Sequence, residues 1–197
     1  MQECGLYQYY MFLVSVFLLI SLFFNIKQRQ NIQKHQEKEN ILIQNAYFHS
    51  ITLLPNKENI KIVISEQIDR AGRHDKSFLI MLIKIKNYHE VKLHSKVLAK
   101  EFILEASNRL LQSTRKEDII GHIGDNTFVV VFNEYLEDEN YNIVLKRIEE
   151  SFSEPPQLNT KYNIDFKISI GIGKYPDEAS DVDSLIEKAR NEAINID

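Results

Sequence analysis

The hydrophobic pattern changes character three times along the 197 residues. From Gly5 to Ile26 there is no charged residue, and Tyr10 to Phe24 is apolar apart from Ser15 and Ser21. A bilayer core of ~30 Å takes roughly 20 apolar residues in a helix. The stretch meets that length with Tyr7, Tyr9 and Tyr10 as an aromatic belt. It predicts one membrane-spanning helix over residues 5–26. A cleaved leader fits less well, because the start, Met-Gln-Glu-Cys, carries no Lys or Arg and Phe23-Phe24-Asn25-Ile26 offers no small-residue cleavage site. Lys27, Arg29, Lys34 and Lys38 follow the run while only Glu3 precedes it. The positive-inside rule therefore places the C-terminal part in the cytoplasm, as a single-pass protein of the inner membrane.

Residues 27–48 are polar and lack Gly and Pro, and predict a linker helix. Ile32, Ile41, Leu42, Ile43 and Ala46 are its apolar positions. Both a parallel coiled coil between two chains and a solvated connecting helix fit them. Leu53-Leu54-Pro55-Asn56 breaks the pattern. Helices and strands then alternate. Helices are predicted over 57–73, 95–113, 140–153 and 180–195, the last capped by Ser180 or Asp181. Strands are predicted over 77–86, 118–123, 127–133 and 163–172, with Gly124-Asp125-Asn126 turning a hairpin. After the leading helix the order βαββαβ implies an α+β, ferredoxin-like plait, a sheet with helices on one face. The divisions are thus 1–26, 27–48 and 49–197.

Charge narrows the function little. Charged residues are 26% and the net charge is -4, with both signs interspersed, so no nucleic-acid surface is expected. The lone Cys4 excludes an internal disulfide framework and a cysteine zinc site. His74, His89, His94 and His122 lack metal-site spacing and read as exposed polar residues. There is no phosphate loop, dinucleotide fingerprint or Gly-x-Ser-x-Gly.

Three separated segments carry a family likeness. His49-Ser50-Ile51-Thr52-Leu53-Leu54-Pro55-Asn56-Lys57 resembles the Asp-x-Leu-Thr-Gly-Leu-Pro-Asn-Arg opening of GGDEF (diguanylate cyclase) domains. Ser169-Ile170-Gly171-Ile172 with Tyr175-Pro176 resembles that family's late Ser-Ile-Gly-Ile-x-x-Tyr-Pro strand. Gly124-Asp125-Asn126-Thr127-Phe128 stands on the hairpin where Gly-Gly-Asp-Glu-Phe belongs. The resemblance implies a domain that, paired with a second, joins two GTP into cyclic di-GMP with divalent metal held by carboxylates.

It also implies where this chain departs. The first-strand Asp-x-Asp-x-Phe-Lys pattern reads Lys84-Ile85-Lys86-Asn87-Tyr88-His89, so lysines replace both acids. Asn126 and Thr127 replace the signature's acidic pair, and Asp125 stands at the second glycine. At the positions implied to read guanine are Lys92 and Glu101. No cofactor is expected, with Mg²⁺ implied only if cyclase activity remains. Arg115-Lys116-Glu117-Asp118 keeps the family's Arg-x-x-Asp product-binding motif in register, five residues before Gly124, with Lys146 or Arg147 as further candidate cations. The expected function is a membrane-anchored, catalytically inactive GGDEF protein that receives cyclic di-GMP through Arg115 and Asp118. Its expected partner is a second copy or another membrane protein. Residual cyclase activity and a nucleotide-free scaffold are the alternatives.

Overall fold

The computed structural model describes residues 3–132, 140–158 and 164–196, and only the backbone of residues 3–20, 40 and 140. The chain divides into two compact units, Met1–Gln44 and Asn45–Asp197. The first is helical, within α1 (Glu3–Tyr47). Among the described residues no helix is long and apolar enough to cross a membrane. The predicted anchor, residues 5–26, lies largely outside those whose side chains are described.

The second unit contains α2 (Lys57–His74), β1 (Phe78–Ile85), α3 (Tyr88–His94), α4 (Lys96–Ser113), β2 (Ile119–His122) and β3 (Thr127–Val131). Then come α5 (Asn140–Ser153), β4 (Ile168–Tyr175), α6 (Val182–Asn191) and β5 (Ile194–Ile196). The strands form one sheet in the order β2-β3-β1-β4-β5, with every pairing antiparallel. β1 sits in the centre because Phe78 to Ile83 are buried on both faces, as its unbroken apolar run predicts.

Three expectations need correction. The helices do not lie on one face. Leu79, Met81, Ile83 and Ile85 pack with Phe102, Ile103 and Leu110 of α4 and Ile148 of α5. Phe78, Ile80 and Leu82 pack with Ile60 and Ile64 of α2 and Leu185 and Ala189 of α6. The two-residue period of β1 thus serves two cores, each buried side chain of this size stabilising by about 1.5–3 kcal/mol. Next, the final helix stops at Asn191 rather than running to 195, and Ile194–Ile196 adds a fifth strand beside β4. The late strand, predicted over 163–172, spans Ile168–Tyr175.

Local chemistry sets the ends of the elements. Asn56 caps α2 by accepting from the Asn59 N–H, and Asp181 caps α6 by accepting from Asp183 and Ser184, each cap adding about 1 kcal/mol. The loop before α2 is tied back onto α1's last turn, where the Asn56 amide donates to the Ala46 carbonyl at 2.8 Å. At β4, α6 approaches so closely that a Cβ on Gly171 would sit 1.7 Å from the Ala189 carbonyl oxygen. Only glycine fits there.

Candidate functional site

The β2–β3 hairpin brings the signature-like residues to the end of β1. Its turn is closed by Ile123 N–H donating to the Thr127 carbonyl at 2.9 Å, and Phe128 is buried in the core below. Asn126 is also buried. Its side-chain amide donates to the Ile85 carbonyl at 2.7 Å, while Ile85 N–H donates to the Asn126 carbonyl at 2.9 Å. The Thr127 hydroxyl donates to Asn126 Oδ1 at 3.4 Å. Asn126 is therefore a clamp between hairpin and central strand.

Gly124 and Asp125 are exposed at the tip. Asp125 Oδ2 lies 2.9 Å from Lys92 Nζ. That hydrogen bond pulls the carboxyl below its ordinary range and raises the lysine's pKa. Lys84 and Lys86 are both exposed, on either side of buried Ile85. Among the described residues no group of three His, Cys, Asp or Glu could hold a metal ion.

A cavity of about 340 Å³ opens beside the hairpin tip, lined by His49, Tyr88, Lys92, Lys96, Lys100 and Asp125 among others. Glu101, half-buried on α4, is not among its lining residues. Lys92 Nζ lies 5.4 Å from the centroid of the Tyr88 ring, which is buried. Lys96 and Lys100 were not singled out from sequence. The available signal was the spacing of four between Lys96 and Lys100, which puts both on one face of α4.

Two histidines stack beside the hairpin, of which His49 lines the cavity. The rings of His49 and His122 lie 3.6 Å apart, and His122 stacks on Phe128 at 4.3 Å. The Thr52 hydroxyl shares a hydrogen bond with His122 Nδ1 at 3.1 Å, and His122 Nε2 has no hydrogen-bond partner among the described residues. Burial, then the neighbouring His49, push the His122 pKa down to about 4, with Asp125 pulling the other way. Burial lowers His49 as well. The expectation that His122 is an exposed polar residue is thus overturned: it is 1% exposed, because β2 packs beneath the 49–55 loop.

The Arg115–Asp118 motif forms the turn between α4 and β2. Arg115 N–H donates to Asp118 Oδ2 at 3.0 Å, and Asp118 N–H donates to the Arg115 carbonyl at 3.2 Å. Arg147 reaches this end of α4 from α5, donating from Nη1 to the Ser113 carbonyl at 3.2 Å. Lys146 faces Glu150 instead, at 3.8 Å. Of the two candidate cations, the structure brings Arg147 to the turn.

The family profile described as "Diguanylate cyclase, GGDEF domain" matches residues 46–195. The chain belongs to the GGDEF family. Its curated relatives include the bifunctional diguanylate cyclase/cyclic di-GMP phosphodiesterase MucR of Pseudomonas aeruginosa, 25% identical over 136 residues, which cover 68% of this chain and 20% of MucR. Diguanylate cyclase TpbB of the same species is 21% identical over 155 residues, covering 78% of this chain and 36% of TpbB. The matched regions thus span well under half of either relative. The solved GGDEF domain of TpbB superposes with a TM-score of 0.68 at 19% identity, covering 73% of this chain and 84% of that one. The coiled coil and GGDEF domain of DgcB from Caulobacter crescentus, solved with c-di-GMP, gives 0.70 at 12% identity, covering 84% of this chain and 87% of that one. These GGDEF structures share the fold of the second unit.

Proposed function

We propose that this GGDEF protein has lost metal-dependent synthesis of cyclic di-GMP and acts as a receptor for that nucleotide, binding through Arg115 and Asp118. The observation that carries the reading is Asn126. Where the family resemblance implies a metal-binding carboxylate, a buried neutral amide donates to the Ile85 carbonyl. A donor already committed to backbone offers no anionic oxygen to a hard cation. The exposed acid next to it, Asp125, is held by Lys92, and lysines stand at both first-strand positions where the resemblance implies acids.

Support for binding comes from the turn at the end of α4. Arg115 and Asp118 are held three residues apart in a closed turn, and Arg147 approaches it from α5. A guanidinium addresses phosphate oxygens or the Hoogsteen edge of guanine, and a carboxylate accepts from guanine N–H groups. The DgcB GGDEF structure was solved with that nucleotide. Residues 5–26 serve in this reading as a single-pass anchor in the cytoplasmic membrane, with Lys27, Arg29, Lys34 and Lys38 holding the domain on the cytoplasmic side.

Calorimetric titration of the full chain with cyclic di-GMP tests the receptor reading. Binding that is lost in Arg115→Ala, and in Asp118→Asn, supports it. Absence of heat, or affinity unchanged in Arg115→Ala, removes it. Incubation with GTP and Mg²⁺ tests the other half, and turnover to cyclic di-GMP would contradict it.

A further inference from the structure

We propose that the groove between α5 and the outer edge of β5 docks a partner protein segment in extended conformation, one that carries a basic side chain between two apolar ones at every second position. The proposal does not rest on the receptor reading, since neither Arg115 nor Asp118 lines the groove.

The sheet leaves this face open. β5 is an end strand, paired among the described residues with β4 alone. Its register sets Ile194 opposite Ile170 and Ile196 opposite Ile168, and Ile168 in turn lies opposite Ile85 of β1. Residues directly opposite share a face, so Ile194 and Ile196 point to the side of the sheet that packs with α4 and α5. The helices cover them incompletely: Ile194 is 73% exposed and Ile196 half-buried. An edge strand with apolar residues left open invites another strand beside it.

The groove has the length and spacing of such a strand. Two cavities, of about 290 and 200 Å³, share Glu149 and Ile196 and so lie end to end between α5 and β5. The first reaches Tyr141 and Lys174, whose ammonium group lies 5.2 Å from the centroid of that ring. The second ends at Phe152 and Phe166. From Tyr141 to Phe152 the helix rises about 17 Å, the span of roughly five extended residues. Alternate side chains of an extended segment share a face, so its first, third and fifth point into the groove. The first and fifth fall over the two cavities, and the third falls over Glu149.

Charge selects the third side chain. Four carboxylates line the groove, Glu149, Asp165, Glu178 and Glu192, against the single Lys174. Glu192 pairs with Lys188 at 2.6 Å, and Glu178 accepts from the Lys174 backbone N–H at 2.8 Å. Glu149 is half-buried where the cavities join, and a cation gains more there than on an open surface. A lysine or arginine of the partner lays its stem over Ile196 and brings its head to Glu149. A second copy of this face is a poor occupant, because it sets carboxylates against carboxylates. The three-residue edge offers few backbone hydrogen bonds, so the side-chain pockets carry most of the affinity.

Fluorescence anisotropy of the full chain with the labelled, end-blocked heptapeptide Thr-Ile-Thr-Arg-Thr-Ile-Thr tests the groove. The peptide binds saturably, and hydrogen exchange of the 192–196 backbone slows in the complex. Placing Glu at its centre, or rearranging it to Thr-Thr-Ile-Arg-Ile-Thr-Thr so that Ile and Arg face opposite ways, weakens binding about tenfold or more. Ile194→Lys and Glu149→Lys have the same effect. Ile143→Lys, exposed on α5 but outside the groove, changes affinity less than about twofold, since exposed charges at a distance are screened. Absence of saturable binding, equal binding of the rearranged peptide, equal weakening by Ile143→Lys, or unchanged exchange at 192–196 each overturns the proposal. Sedimentation gives Ile194→Lys the same mass as the unaltered chain; dissociation of a dimer by that change assigns the face to a second copy and overturns the proposal as well.

Discussion

The side-chain amide of Asn126 donates to the backbone carbonyl of Ile85 at 2.7 Å, joining the tip of the hairpin to the last residue of the central strand. A carboxylate in the same place has no proton to give and would face that carbonyl oxygen. Asn126→Asp is therefore expected to destabilise the domain by about 2–3 kcal/mol at pH 7, the cost of a buried acceptor left against an acceptor. Urea unfolding measures it. A neutral result would show that the amide is not a clamp.

His122 makes stability pH-dependent. The folded ring resists protonation down to about pH 4, whereas the unfolded histidine takes a proton near 6.5. Its contribution is complete above pH 6.5 and falls as the pH drops towards 4, by roughly 3 kcal/mol in all. In His122→Phe the slope between those values shrinks, leaving the smaller share of His49, whose pKa is lowered in the same sense. Unfolding midpoints from pH 7 to 4 in the two proteins report the difference.

Leu53 occupies the position at which the family resemblance has glycine, and its backbone is left-handed, with φ 56°. A branched residue there costs about 1–2 kcal/mol, and its side chain is 65% exposed, so little burial offsets the strain. Leu53→Gly gives back about 0.5–1 kcal/mol of that, because glycine loses more freedom on folding. Thermal unfolding should show a gain. A loss would mean that Leu53 makes a stabilising contact in the folded chain.

Gly171→Ala tests the approach of α6 to β4. The added methyl would meet the Ala189 backbone carbonyl at 1.7 Å, and a backbone atom cannot move aside as a side-chain end can. The variant should lose about 3 kcal/mol or more, or fail to accumulate as soluble protein. Gly124→Ala, on the exposed turn, is the contrasting case, since its Cβ would meet nothing closer than 3.9 Å.

Period and breakers carried most of the fold. The apolar run of β1, the helical spacing of Phe102, Ile103, Ala106 and Leu110, and the turn residues between β2 and β3 report local geometry. Each was legible in one dimension. The same information could not say that alternate residues of β1 serve two helical layers. Burial on both faces erases the alternation that would mark a one-sided sheet. Nor could it show that Ile194–Ile196 leaves the helix to join β4, because a three-residue strand is stabilised by its neighbour rather than by its own pattern.

For the site, the sequence by itself set which residue types stand at the positions the resemblance implies. It showed that Lys84, Lys86 and Asn126 stand where carboxylates are implied, and that Arg115 and Asp118 keep their spacing. Only the tertiary structure decided what the replacements do. Asn126 turns inward onto Ile85, Asp125 reaches across to Lys92, His122 is buried between His49 and Phe128, and Lys96 and Lys100 meet the hairpin tip around one cavity. The physical reason is distance along the chain. Hydrogen bonds, ion pairs and desolvation act over a few ångströms, and these partners are brought that close only when the sheet and its helices close around the hairpin.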